Sequence, residues 1–233
     1  MITVERSSIH ATPRPRRPRR LAHRLAGLGW VILLLVCLNI VVVVSRYLTF
    51  DPQVYFPQQR QTYLRVEFFL GVHVLSGIFA LLIGPFQFVG RIRRRFLRVH
   101  RLLGMVYVAS ATAVGLTGLV LAPTAYTGLV AVLGFTFLDL AMLFTTWTAV
   151  RMVVARRIDE HRRWMIRSFS LILAGVMLRV MVSIHAGLAA TGVSDLTFET
   201  AYAAISWLCW VPNLLVALWV TRRPAGLGAS HGR

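Results

Sequence analysis

The sequence predicts an all-α integral membrane protein, a bundle of six transmembrane helices with the N- and C-termini both cytoplasmic. Three observations predict it. The chain of 233 residues is 57% hydrophobic and only 15% charged, with a mean hydropathy of +0.66, far from the balance of a soluble domain. Apolar runs recur along it at about the 20-residue length that a helix needs to cross the hydrocarbon of a bilayer. The arginines lie in clusters between those runs.

Residues 1–24, which include TPRPRRPRR at 12–20, combine Pro and Arg with little apolar content and read as a disordered basic arm. The run LAGLGWVILLLVCLNIVVVVS at 25–45 is the first span. A signal peptide also begins with arginines and an apolar run, but this run is long and no A-x-A-like cleavage site follows it, so it reads as an uncleaved anchor. Five further runs follow at roughly 66–89, 102–122, 127–150, 166–190 and 200–221. Together they form one transmembrane domain over 25–222, with a short flexible tail at 223–233.

Charge sets the orientation, because short cytoplasmic loops carry the excess of Lys and Arg. The arm holds seven arginines, the 90–101 loop six (Arg91, Arg93, Arg94, Arg95, Arg98, Arg101), and 151–167 another six. The opposite side has Arg46, Arg60 and Arg65 in its first loop, and Asp195 and Glu199 in its last. The formal charge of +18 therefore does not imply a nucleic-acid partner, since that reading needs basic residues spread over a folded polar surface. It implies contact with anionic lipid headgroups. All 26 basic residues are arginine, which points to GC-rich coding and a bacterial plasma (inner) membrane. Cys37 and Cys209 fall within apolar runs and form no CxxC pair, so they read as packing residues.

The 46–65 loop carries Tyr47, Tyr55, Phe56 and Tyr63 with Pro52 and Pro57. It reads as an interfacial aromatic belt, with a short surface helix or a docking site for a partner as alternatives. On span three, Gly104, Ala109, Ala111, Ala113, Gly115 and Gly118 allow close helix approach, which predicts a central position for that helix. Gly84-Pro85 should kink or end span two.

Helical rise places the polar residues by depth. His73 on span two and His185 on span five share the outer leaflet, roughly 8–13 Å below its surface, and Asp139 and Arg179 lie roughly 18 Å deep. His100 and His161 share the cytoplasmic boundary. Histidines at one depth on different helices are the arrangement that axial ligation of a b-type haem requires. His73 with His185 is the outer pair of candidate metal ligands, and His100 with His161 the inner pair. Because His161 and His185 are about 36 Å apart along one helix, more than the hydrocarbon thickness of about 30 Å, His161 is expected in the headgroup layer or on a pre-helical turn. Asp139 and Arg179 read either as a buried ion pair that fixes register or, for Arg179, as a clamp on a haem propionate or quinone carbonyl.

These residues carry a resemblance. His73, Gly-Pro-Phe-Gln-Phe at 84–88, His100-Arg101 followed by Gly104 and Tyr107, the block His161-Arg162-x-Trp164-Met165-x-Arg167-Ser168, and Arg179 resemble a bacterial family of predicted membrane proteins, domain of unknown function 2306. The resemblance covers about 66–190 and implies a compact helical bundle without an assigned activity. More distantly, histidines on successive helices are similar to those of cytochrome b561-like and ferric-reductase-like membrane proteins, which place their ligands well within the helices.

Two functional readings remain open. In the first, the protein binds haem b and serves membrane electron transfer with a quinone or protein redox partner: His73, His185, His100 and His161 are candidate ligands, and Arg179, Arg101 and Arg162 hold propionates or acidic headgroups. In the second, it is a non-redox membrane protein, either a small transporter that uses Asp139 and Arg179 or a scaffold that binds anionic lipid. No HExxH, Walker loop or GxGxxG occurs, so hydrolase and nucleotide-using readings have no support.

Overall fold

In the computed structural model, residues 19–222 are described, and among them the chain is helical nearly throughout and forms no strand. The helices run in the order α1 (Arg19–Ser45), α2 (Arg60–Arg65), α3 (Glu67–Gln87), α4 (Gly90–Arg95), α5 (Leu97–Leu121), α6 (Leu129–Val154), α7 (Ile158–Ile172), α8 (Ala174–Ala190), α9 (Phe198–Leu208) and α10 (Val211–Val220). Six stretches are long and apolar enough to cross a membrane: Gly27–Thr49, Glu67–Gln87, Leu97–Thr124, Leu129–Val154, Ile158–Ala190 and Phe198–Val220. The greater part of the basic arm expected over 1–24, and the tail expected over 223–233, fall outside the described residues. The first helix already begins at Arg19, inside the range read as an arm.

Small residues decide the packing order. α5 packs most closely on α3 and α6, α6 on α7, and α1 on α3, so the helix with the glycine and alanine run is central. Lipid tails are as apolar as leucine, so these contacts rest on close fit and hydrogen bonds rather than on exclusion of water. The hydrogen bonds gather where Ser168 of α7, fully buried, meets two neighbours: its hydroxyl shares a bond with Tyr107 of α5 at 3.0 Å and with Thr146 of α6 at 2.8 Å. One residue earlier, the Arg167 guanidinium lies 4.4 Å from the Trp164 ring centroid and donates from Nε to the Thr221 hydroxyl at 3.1 Å. The Trp-Met-x-Arg-Ser block is therefore a joint that ties α7 to α5, α6 and the end of α10.

Three features refine what run length predicts. The fifth span is a 33-residue stretch in which α7 passes through Leu173 into α8. His161 consequently sits inside α7, not on a pre-helical turn. Asp159 and Glu160 in the first turn favour starting the helix there, because negative charge is stabilised at a helix N-terminus, and the His161 amide donates to the Arg157 carbonyl at 2.9 Å. At about 1.5 Å per residue the stretch is about 50 Å long, so its polar first turns reach past the hydrocarbon. The sixth span is likewise interrupted, at Cys209 and Trp210 between α9 and α10.

The third feature is the 46–65 loop, whose aromatics pack on one another and on α9, with Tyr55 fully buried. The Tyr55 hydroxyl donates to the Glu67 carboxylate at 2.7 Å, its ring stacks on Tyr47 at 5.7 Å, and Tyr63 meets it edge-on at 6.1 Å. Phe56 reaches across to Phe198 at 5.1 Å. A tyrosine hydroxyl taken out of water needs a partner, and Glu67 at the start of α3 supplies it. Burial and the Glu67 carboxylate push the Tyr55 hydroxyl up to about 12. The folded loop thus holds a proton that the unfolded chain releases near pH 10, so this stabilisation is complete below about pH 10 and is lost as pH rises through about 12. Tyr55→Phe strips Glu67 of its donor and should cost about 1–3 kcal/mol, read as a fall in melting temperature of the detergent-solubilised protein. An unchanged melting temperature would show that the pair adds nothing to the loop.

Candidate functional site

A cavity of about 210 Å³ lies in the middle of the bundle, toward the end that carries the 46–65 loop. Its wall is mostly aliphatic, from α1, α3, α5, α6 and α8, and its polar groups are few: His73, Asp139 and Arg179, joined by Tyr47, Gln59, Tyr63 and Tyr202. A largely apolar chamber with a small number of converging polar groups is the usual form of a small-molecule site.

Each polar group has an identifiable support. His73 on α3 sets Nδ1 at 3.2 Å from the Val114 carbonyl and from the Thr117 hydroxyl of α5; a carbonyl only accepts, so Nδ1 carries the proton and donates. Gln59, almost fully buried, links the loop to the far rim, donating from Nε2 to the Thr124 carbonyl at 3.2 Å and accepting from the Tyr63 hydroxyl at 2.9 Å. Burial holds the Tyr63 hydroxyl well above the ordinary tyrosine range, with the Arg179 cation pulling the other way. Arg179 on α8 donates from Nη1 to the Gly175 carbonyl one turn back, at 3.0 Å. Asp139 on α6 is only 5% exposed, and its carboxyl rests against Gly118 of α5 in the space a Cβ would take.

The structure brings His73, Asp139 and Arg179 to one cavity. It does not bring His185 there. The His185 ring packs against Phe198, 5.9 Å between centroids, on the aromatic cluster of α9. Asp139 and Arg179 share the chamber without touching: among the described residues the ion pair within 4.0 Å is Arg157 with Glu160 in the first turn of α7. At the arginine-rich end, the His161 Nδ1 donates to the Ala149 carbonyl of α6 at 2.9 Å, and His100 has a buried Nδ1 without a hydrogen-bond partner among the described residues. Arg101 and Arg162 are exposed there, away from the cavity.

A haem held by His73 and His185 needs two imidazoles facing one space. The cavity wall offers His73 as its single histidine, so these residues do not fit that group. Among the described residues, no set of three or more His, Cys, Asp or Glu side chains gathers closely enough to hold a metal ion. Depth along a helix says nothing of Tyr47, Gln59, Tyr63 and Tyr202, which the 46–65 loop and α9 bring to the wall. Their aromatic and amide character in the sequence carried no sign of it.

Fold and cavity together define a polytopic helical membrane protein with a polar-tipped chamber inside its bundle. The chain belongs to the family described as predicted membrane protein, domain of unknown function 2306 (DUF2306), which it matches over residues 70–221. That match runs from the first turn of α3 to the end of α10 and includes His73, Asp139 and Arg179. No curated protein and no solved structure matches the chain.

Proposed function

We propose that this protein binds a lipophilic small molecule in the central cavity and holds an oxygen acceptor of that molecule on Arg179, in the bacterial inner membrane with both termini cytoplasmic. One observation carries the reading: a guanidinium stands inside an apolar membrane bundle and, among the described residues, makes one hydrogen bond, to the Gly175 carbonyl, with no carboxylate within ion-pair distance. Guanidinium has five N–H donors, and an ionisable group at this depth is costly unless something meets it. A carbonyl or carboxylate oxygen on an apolar body meets both demands of the chamber. Binding of this kind is the step that a lipid-soluble redox carrier, a transported amphiphile and a sensed lipid have in common.

The haem reading is the weaker one on this geometry. His73 does have a fixed tautomer, set by the Val114 carbonyl as in many metal-ligating histidines, yet a second axial group is not on the wall. The spectrum separates the two: protein purified in mild detergent from haem-replete cells should show no b-type α-band on reduction with dithionite. A band that vanished with His73→Ala would overturn the present reading.

The direct test is ligand binding by the whole protein in nanodiscs, with a ten-carbon-tailed benzoquinone and a fatty acid of similar tail as probes. Wild type should bind at least one of them, and Arg179→Met should weaken that binding about 10- to 100-fold, the loss expected for a charge-assisted hydrogen bond. Equal affinity in the variant would mean that the cavity is not the site.

A further inference from the structure

Resting on the cavity-binding reading above, we infer that the occupant is held at two points, by Arg179 on α8 and by Asp139 on α6, and is therefore a neutral ring compound with a hydroxyl at one end and an oxygen acceptor at the other, of the p-quinol class. Asp139 is the group that demands the second point. The residue is 5% exposed, and its carboxyl lines the cavity and receives no hydrogen bond and no ion pair from any described residue. Gly118 is what lets it sit there, since a Cβ at that position would fall on the carboxyl itself. The close approach of α5 and α6 thus presents an acceptor to the chamber and leaves it unmet.

No described residue meets it from the other side. α6 packs on α5, α7 and α9, whereas α8 packs on α7, α9 and α1, so Asp139 and Arg179 reach the cavity from different walls. The Tyr63 hydroxyl already donates to Gln59, and His73 already donates from Nδ1 to the Val114 carbonyl. Charge then selects the occupant. An amine would pair with Asp139 but would share the chamber with the Arg179 cation, which disfavours it. A fatty acid offers one acidic head, suited to Arg179, and has no second group to donate to Asp139. A neutral molecule that donates to Asp139 and accepts from Arg179 satisfies both, and oxygens at opposite ends of a ring suit groups on different walls.

The experiment compares three probes on the whole protein in nanodiscs: a ten-carbon-tailed p-quinol, its monomethyl ether and its dimethyl ether. Wild type should bind the quinol about tenfold or more tightly than the dimethyl ether, the effect of one buried hydrogen bond. Asp139→Leu should bring the two within about twofold while the dependence on Arg179 persists, and Asp139→Asn, which keeps an acceptor oxygen, should restore much of the preference. Gly118→Ala, which pushes the carboxyl from its seat, should lower the preference too, so the test survives if the leucine variant fails to fold. Equal binding of quinol and dimethyl ether by wild type, or a preference that outlives both Asp139→Leu and Gly118→Ala, overturns the two-point inference and leaves the cavity reading standing. Binding of none of these three probes overturns the two-point inference, and the cavity reading falls with it only if the benzoquinone and the fatty acid also fail to bind.

Discussion

Gly84→Ala is expected to cost the fold about 1–3 kcal/mol, the range for forcing extra volume into a filled core, although it adds a single methyl group. A Cβ at position 84 would fall within the ring of Phe169 on α7. That ring has nowhere to go, because it is 5% exposed and lies between Phe88 at 5.5 Å and Tyr107 at 6.4 Å. The backbone adds to the cost, since a non-glycine residue ahead of proline is pushed out of the helical region, and Pro85 follows. Cys37 and Cys209 give the readout: both are buried and free, so a thiol-reactive fluorogenic dye reports unfolding as they become accessible. The melting temperature of Gly84→Ala should fall by several degrees, whereas Gly187→Ala, where a Cβ meets nothing within 4 Å, should be neutral or slightly stabilising. Equal melting of the two variants would show that α7 shifts freely and that the fit at Gly84 is not what fixes it.

What the sequence made legible, and what it hid, follows from the solvent. A span is announced by its run of apolar residues, because every backbone polar group in lipid must be satisfied within the helix, so the six spans could be counted from residues 25 onward. Depth was also legible, as each residue adds about 1.5 Å. Direction around the axis was not. In water a helix shows its buried face by a 3.6-residue rhythm of apolar and polar positions, but a helix such as α6 is apolar on the lipid side and the protein side alike. Equal depth therefore placed His73 with His185, and only packing shows that His73 faces the cavity while His185 turns to Phe198. The same blindness made Asp139 and Arg179 look like a pair. They do meet at one chamber, but from helices that approach it from different sides. Gly118 was legible as a small residue and not as the seat of a carboxyl, since nothing local says which neighbour fills the space that a glycine leaves.

Single cysteines placed at Gln53 and at Arg94 should label in opposite ways, an all-or-none result that tests the proposed orientation. Both positions are exposed, and the two native thiols are buried, so background labelling of intact cells by a membrane-impermeant maleimide should be low. Gln53→Cys, in the 46–65 loop, is expected to react from outside; Arg94→Cys, in α4, is expected to react only after the membrane is opened. The expectation rests on where the charges fall in the folded chain. Arg91, Arg93, Arg94, Arg95, Arg98 and Arg101 gather on α4 and the first two turns of α5, at the same end of the bundle as Arg156, Arg157, Arg162 and Arg163 around the start of α7, with Asp159 and Glu160 the acidic residues among them. Passing one arginine through the helix centre costs about 2.5–3.5 kcal/mol on an insertion scale, so translocating this end would be far costlier than translocating the loop with Arg46, Arg60 and Arg65. Replacing the six arginines of 90–101 by glutamine should accordingly let Arg94→Gln variants with a cysteine at the neighbouring Ile92 label from both sides, as the population divides between two orientations. If Arg94→Cys in the otherwise wild-type chain labels from outside, the bundle sits the other way up, and the cavity lies toward the cytoplasmic leaflet.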